Sequence, residues 1–371
     1  MKKIVFGITC LKLGGAERVL VDIVNKLSNK YDVTIFTLYS NGEFEKELND
    51  KVKLESMYDC TYNELSFLEK KLLSLKLVTS VGRKSIYHKF IKGKYDVEIS
   101  FLEGPITWIF SEGTNNKIAW IHNDIADVFG TGSKAAKKKE LSGKCYLKFN
   151  KLIFVSKDNL DKFNNVYPDN NVDKEIIYNY LDVQSVIKKS NLDKVNDIKK
   201  DMVSFLQVSR LVDQKAVGRL IDVHKKLIDD GFNHRIYVIG DGPLEDELRG
   251  KVKSLKLEDT FVLLGKKSNP YPYISEADYF ILTSYYEGYG MVIVEAEILN
   301  KYIMITDSAA REAVQDYKDS LIVKNNEDGI YDGIKSILKD KPKVKNDKVF
   351  NNDSIIDDII KLIEGELWKY Q

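Results

Sequence analysis

A chain of 371 residues with 43% apolar and 30% charged residues is long enough for two domains and apolar enough to give each a core, which excludes a disordered protein. Its 57 Lys and Arg against 56 Asp and Glu leave a formal charge of +1, which removes the global electrostatic case for a nucleic-acid partner. Cys10, Cys60 and Cys145 stand far apart and build neither a disulfide framework nor a CxxC zinc site, and no apolar run approaches the ~20 residues that span a bilayer.

Lys2-Lys3 followed by Ile4 to Leu11 imitates a signal peptide, but Lys12 interrupts the run and no small-x-small site follows, so a buried first strand is the better reading. That strand, Ile4 to Thr9, turns through Leu13-Gly14-Gly15 into a helix from Ala16 to Leu27, whose Val19, Leu20, Ile23, Val24 and Leu27 share one face. With the next strand, Val33 to Leu38, it forms a βαβ unit and implies parallel strands. Val97 to Phe101, Lys117 to Ile121 and Leu152 to Val155 are further strands, and Ile176 to Tyr180 closes a first domain over residues 1–182.

Residues 183–201 are polar and lysine-rich and read as a linker. The alternation then restarts over 202–350: strand Val203 to Val208, helix Val217 to Asp229, strand Arg235 to Ile239, helix Leu244 to Leu255, strand Phe261 to Leu264. Strand Tyr279 to Thr283, helix Val292 to Leu299 and strand Ile303 to Thr306 follow. A helix from Ile355 to Trp368, capped by Asp353 or Ser354, ends the chain in a segment 351–371 expected to pack back on the first domain. The sum is an α/β protein of two Rossmann-like, doubly wound parallel-sheet domains, with ligands expected at strand carboxyl ends and in the cleft between domains.

The most specific segment runs from Ser284 to Glu295, between a strand and a helix. Gly288 and Gly290 let backbone approach a ligand, and the amides of Gly290, Met291 and Val292 suit a phosphate at the helix start. Glu287 in the loop and Glu295 in the early helix can reach one ligand and suit hydroxyl recognition; a glycine turn before a solvated helix explains the glycines but not the flanking carboxylates.

This Glu287-x7-Glu295 pattern, with Glu-Gly-Tyr-Gly inside it, resembles the signature of the retaining family 4 glycosyltransferases of the GT-B fold (glycosyl transferases group 1). The resemblance covers nearly the whole chain and implies that Glu287 contacts the donor sugar, that Glu295 binds the ribose, and that Gly288, Tyr289, Gly290, Met291 and Val292 approach sugar and diphosphate. Gly14-Gly15-Ala16-Glu17 resembles the family's first glycine loop, with Gly15 and Ala16 on the donor side and Gly14 on the acceptor side, where helix packing is an equal explanation of Gly14. Ser209-Arg210-Leu211 with Lys215 resembles the diphosphate clamp, Arg as a fork of donors and Lys as a point charge. Ala216 departs from the glycine usual after that lysine, which puts the local turn in question.

Trp120-Ile121-His122-Asn123-Asp124 is similar to the family's strand-end histidine, placing His122 near the reaction centre and Asn123 and Asp124 on the acceptor side. Gly242, in Gly240-Asp241-Gly242-Pro243, matches the turn beneath the nucleotide, and Gly265 lets the nucleobase approach backbone. The Thr306 to Glu312 loop, with Ala309-Ala310, departs from the family's glycine-rich form.

Two basic clusters survive the neutral total: residues 64–94, with eight Lys and Arg against two Glu, and residues 133–151, with seven Lys against one Glu. The first interleaves Phe67, Leu68, Leu72, Leu73, Leu75, Leu77 and Val78, a pattern that fits either an anionic membrane surface or a solvated helix face; the resemblance favours the membrane. The implied protein is a retaining, metal-independent hexosyltransferase using a nucleotide-sugar, by family frequency a UDP-sugar, and a lipid-linked saccharide acceptor. It needs no cofactor, sits in the cytoplasm on the inner face of the plasma membrane, and serves bacterial surface polysaccharide synthesis such as capsule. A catalytically silent partner or chaperone subunit of the same fold is the alternative; it would be expected to lose Arg210, Lys215 or Glu287, and all three are present.

Overall fold

The computed structural model describes residues 1–114, 116–125, 128–130, 132–345 and 350–366. The chain forms two units, one from Met1 to Leu181 rejoined by the chain from Asn352 onward, the other from Asp182 to Asn351.

The first unit is a seven-stranded parallel sheet of β1 (Lys3–Ile8), β2 (Asp32–Tyr39), β3 (Lys53–Tyr58), β4 (Val97–Ser100), β5 (Asn116–Ile121), β6 (Lys151–Phe154) and β7 (Asp173–Ile176). Their order is β3-β2-β1-β4-β5-β6-β7. Helices cover both faces, so the central strands read as unbroken apolar runs, and Ile4, Val5, Phe6, Ile8, Ile118 and Trp120 are fully buried. Gly7 has a packing reason. A methyl group there would lie 2.4 Å from the Phe110 ring, so its bare backbone lets the helix Pro105–Phe110 rest on β1.

The second unit is a six-stranded parallel sheet of β8 (Ser204–Val208), β9 (Arg235–Ile239), β10 (Phe261–Gly265), β11 (Tyr279–Leu282), β12 (Tyr302–Thr306) and β13 (Ser320–Val323), ordered β10-β9-β8-β11-β12-β13. In both units the order reverses beside the unit's first strand, between β1 and β4 and between β8 and β11. Loops leaving the carboxyl ends of those strand pairs diverge and leave the crevice where α/β sheets bind ligands.

The expected strands are present, and three more flank them. β3, β7 and β13 lie at or next to sheet edges, half exposed, and carry too many polar residues to show an apolar run. Of the stretch Ile176 to Tyr180 that closes the first domain, Ile176 belongs to β7, which begins at Asp173. Residues 183–201, read as a connector, carry a helix Val183–Ser190 capped by the Asp182 carboxylate and anchored by buried Val186. The final helix spans Asp353–Glu364, and Glu364 accepts from Lys2 Nζ at 2.9 Å and Tyr31 Oη at 2.6 Å. Its expected end at Trp368 lies outside the described residues.

Candidate active site

In the second unit, the loop after β8 and the loop after β11 leave neighbouring strands at the reversal point. A buried glutamine ties them. Gln207, in β8, accepts from the amide and hydroxyl of Thr283 at 3.2 and 3.1 Å and donates to Ser209 Oγ and the Lys215 carbonyl at 3.1 and 3.3 Å. Gln214 donates to the Tyr286 carbonyl and accepts the Tyr285 amide, each at 2.9 Å.

Between these loops Lys215 Nζ donates to both oxygens of Glu287 at 2.7 Å, and Ser284 Oγ donates to the same carboxylate at 2.5 Å. Glu287 is 5% exposed and Lys215 17%, so this is a nearly desolvated ion pair at the mouth of the crevice. Arg210, in the same β8 loop, is exposed and makes no ion pair among the described residues. Two residues expected to meet one ligand therefore meet each other, and the cation presented to solvent is Arg210.

Ala216 settles the turn in question. It adopts φ 51°, ψ 32°, the left-handed conformation that glycine takes without strain, and its turn opens the helix Val217–Asp229. The alanine keeps the glycine's conformation at a cost of about 1–2 kcal/mol.

Gly290, at φ +84°, caps the helix Met291–Ile298, whose first amides have no partner of their own within the helix. Gly288, Tyr289, Met291 and Val292 are partly exposed along this turn. Glu295, one turn in, is buried and accepts from Tyr271 Oη at 3.3 Å. Gly265 ends β10 at φ +68° with open space where a side chain would stand.

Gly242 and Gly240 have a packing reason. A methyl group on it would meet the Leu211 carbonyl at 2.3 Å, and one on Gly240 the Ser209 carbonyl at 1.8 Å. Leu211 N donates to the Asp241 carbonyl at 2.7 Å and Leu244 N to the Leu211 carbonyl at 3.2 Å. The turn is thus bonded to the segment that carries Arg210.

Arg219 and Asn325 complete the crevice and have no motif. Arg219 Nη2 donates to the Thr283 carbonyl at 2.7 Å and Asn325 Oδ1 at 2.8 Å, its guanidinium lies 4.3 Å from the Tyr285 ring centroid, and Asn325 Nδ2 donates to the Tyr285 carbonyl at 2.8 Å. The loop after β12 joins them, where Thr306 Oγ1 donates to the Ser284 carbonyl at 2.7 Å.

In the first unit, Gly14 and Gly15 are exposed at the start of the helix Gly15–Leu27, with Ala16 half-buried behind them. Gly14 is extended and adds no side-chain cap. His122 follows β5, packs on the Phe101 ring at 4.4 Å and stacks beside Trp120 at 6.1 Å. Burial drives its pKa down to about 3, so it is a neutral imidazole near pH 7, and its Nε2 is buried without a hydrogen-bond partner among the described residues. Asp124 is committed to Lys162 at 2.7 Å. Near His122, Glu103, Pro105, Trp108, Leu73, Tyr39 and Lys138 help line a cavity of about 370 Å³.

The helices Phe67–Val78 and Ser80–Phe90 carry the first basic cluster. Phe67, Leu68 and Val81 are 79%, 75% and 81% exposed, while Leu73 and Leu77 turn inward. In the second cluster the helix Ser133–Tyr146 is lysine-studded, with Leu147 just beyond it exposed. Among the described residues no helix is long and apolar enough to cross a membrane.

Residues 188–354 match the family model described as Glycosyl transferases group 1. The second unit is a group 1 glycosyltransferase domain. The chain is also 27% identical over 380 residues, covering 98% of it and 100% of the relative, to the N-acetylgalactosamine-N,N'-diacetylbacillosaminyl-diphospho-undecaprenol 4-alpha-N-acetylgalactosaminyltransferase of Campylobacter jejuni. Its fold is that of solved GT-B glycosyltransferases. Anabaena Alr3699/HepE, solved in complex with UDP and glucose, aligns at a TM-score of 0.74 and 17% identity over 98% of this chain and 100% of that one. The lipopolysaccharide outer core galactosyltransferase WaaB in its apo form aligns at 0.68 and 14% over 99% and 100%. On this group 1 glycosyltransferase domain, the Lys215–Glu287 pair and Arg210 occupy the loops of the sheet-reversal crevice.

Proposed function

We propose that this glycosyltransferase moves a hexose, with N-acetylgalactosamine the first choice, from UDP to a lipid-linked saccharide in bacterial surface-glycan synthesis. The observation that carries the reading is the Lys215–Glu287 pair with exposed Arg210 beside it, at the crevice where α/β sheets bind phosphorylated ligands. The acceptor sugar chemistry follows the Campylobacter relative, which matches end to end.

On this reading the diphosphate is held by Arg210, Lys215 and the amides at Gly290, which stabilise the charge that develops as the sugar–phosphate bond breaks. Lys215 then has two partners: Glu287 holds its ammonium in place, and the departing phosphate shares it. Glu287 meets the sugar, Glu295 the ribose, and Gly265 gives the base an open backbone edge. These fixed cations replace a divalent metal, and the leaving phosphate takes the acceptor proton on the face it departs from, so the anomeric configuration is retained. Gly14, Gly15, Ala16, His122, Asn123 and Asp124 serve the first unit's side of the reaction, with His122 a neutral hydrogen-bonding group.

The exposed side chains of Phe67 and Leu68 enter the outer part of an anionic cytoplasmic leaflet, each gaining about 1–2 kcal/mol on burial and nearby lysines about 1 kcal/mol each. Phe67, Leu68, Leu72, Leu75 and Val78 fall on a single arc of the helix Phe67–Val78. The lysines of residues 133–151 add attraction without insertion.

The test is incubation with UDP-N-acetylgalactosamine and a polyprenyl-diphosphate N-acetylhexosamine acceptor, with the product anomer read by NMR. The expected product is the α-anomer, formed equally with EDTA present. A β-linked product contradicts retention, and loss of transfer in EDTA that added metal restores contradicts metal independence.

A further inference from the structure

Glu103 carries no motif, yet it is a buried, multiply bonded carboxylate at the carboxyl edge of the first sheet. It follows β4, is 5% exposed, and turns across to the neighbouring β5 loop. Its Oε1 accepts the main-chain amides of His122 and Asn123, the latter at 2.7 Å, and its Oε2 accepts Asn123 Nδ2 at 2.8 Å. Three donors converge on one buried carboxyl group, and all three belong to the dipeptide that begins where β5 ends. Burial pushes the Glu103 carboxyl upward while these bonds pull it down.

The His122 ring itself is held by packing alone. Phe101 and Trp120 flank it, and its buried Nε2 has no partner among the described residues, so no side-chain bond sets its direction from that nitrogen. The ring's placement therefore depends on the main chain beneath it, and Glu103 fixes that main chain. Free of Glu103, two adjacent amides would face a desolvated pocket unpaired.

We propose that Glu103 is a positioning residue: it locks the His122–Asn123 main chain and so fixes where the imidazole stands at the carboxyl edge of the first sheet. This rests on the glycosyl-transfer reading for its catalytic consequence, though not for its structural content. Two of the three bonds need only an acceptor oxygen. The amide oxygen of a glutamine accepts both main-chain amides, and the Asn123 side chain can turn its own oxygen toward the new NH2 group. Charge is therefore dispensable and reach is not.

The test compares Glu103→Gln, Glu103→Ala and Glu103→Asp in the full chain, with ¹⁵N-histidine NMR as a readout independent of activity. His122 is assigned by its loss in His122→Gln. Expected are unchanged His122 ring signals in Glu103→Gln and shifted or tautomer-averaged ones in Glu103→Ala, with His224 and His234 unmoved in every variant. With UDP-N-acetylgalactosamine and the polyprenyl-diphosphate acceptor, kcat falls about 30-fold in Glu103→Ala at unchanged donor KM, inside the roughly hundredfold that a displacement of about 1 Å costs. Glu103→Gln stays within about threefold.

Should Glu103→Ala not fold, Glu103→Asp keeps the charge but falls short by one methylene and is expected to shift the His122 signals and lose about tenfold in kcat. The proposal is overturned if the His122 signals are the same in Glu103→Ala, or in Glu103→Asp where that is the variant that folds. It is overturned equally if Glu103→Gln disturbs the ring as much as either. If the wild-type protein transfers no sugar, the functional reading fails, and the NMR comparison alone still decides whether Glu103 sets the ring.

Discussion

Replacing Lys215 with alanine probes the crevice at its most loaded contact. At 2.7 Å and an effective dielectric of about 20 the gross attraction between Lys215 and Glu287 is about 6 kcal/mol, most of it offset by desolvation of the two charges. Removing one partner of a buried pair costs about 3–5 kcal/mol. Lys215 is 17% exposed, so water partly replaces it, and a loss of about 2–3 kcal/mol is expected. In a unit of this size that lowers the melting temperature by about 5–10 °C. Glu287→Gln removes the stranded charge, so Lys215→Ala/Glu287→Gln should recover about half of the loss in a double-mutant cycle.

The ligand-linked effect is separate. UDP at about 100 Kd stabilises the wild type by about 2.7 kcal/mol; a 30-fold weaker Kd in Lys215→Ala would cut this to about 0.9 kcal/mol. Differential scanning calorimetry with and without UDP reads both quantities. A Lys215→Ala melting point within about 1 °C of the wild type would refute the energetic reasoning, and an undiminished UDP shift would refute the clamp.

Ala216→Gly should be neutral or stabilising by up to about 1 kcal/mol, because released left-handed strain outweighs added freedom of the unfolded chain, whereas Ala216→Val should cost more than about 2 kcal/mol; urea titration separates them. Glu297 is buried beside Asp316, with its carboxyl raised to about 8, so it contributes stability below pH 4.5 that is lost as pH rises through 8. Glu297→Gln should therefore stabilise the second unit by an amount that grows by on the order of 2 kcal/mol between pH 5 and pH 7, and a pH-independent effect would contradict the assignment. Phe67→Ser/Leu68→Ser should weaken partitioning onto phosphatidylglycerol vesicles by about 10- to 100-fold in a sedimentation assay while leaving UDP stabilisation intact; unchanged partitioning would remove this surface from the account.

Much of the architecture is legible in residue pattern because the central strands are buried on both faces. Ile4 to Ile8 and Phe280 to Leu282 leave no other reading, whereas the polar stretches that form β3 and β7 pair through backbone and hide their strand character. The connector reading of 183–201 overlooked that Val186 alone can anchor a short helix.

The site divides the same way. Glycine loops and strand-end charges announce themselves locally, so Arg210, Lys215, Glu287 and Glu295 stand out in the sequence as candidates. Gln207, Arg219 and Asn325 tie the crevice together through bonds that cross 40 to 106 residues, and no spacing rule reaches that far. Gly242 was legible as a glycine of a tight turn, while the Leu211 backbone that packs on it was not. Glu103 offered one faint signal, an acidic residue at the end of an apolar strand just before Gly104-Pro105, which only the neighbouring β5 loop explains.

A crystal structure of the protein soaked with UDP tests the central claim most directly. The account predicts diphosphate oxygens within about 2.7–3.2 Å of the Arg210 guanidinium and Lys215 Nζ, with the ribose at Glu295. UDP seated instead at the opposite edge of that sheet, in the cavity of about 520 Å³ lined by Lys200, Tyr279 and Tyr302, with the Lys215–Glu287 pair untouched, would contradict it.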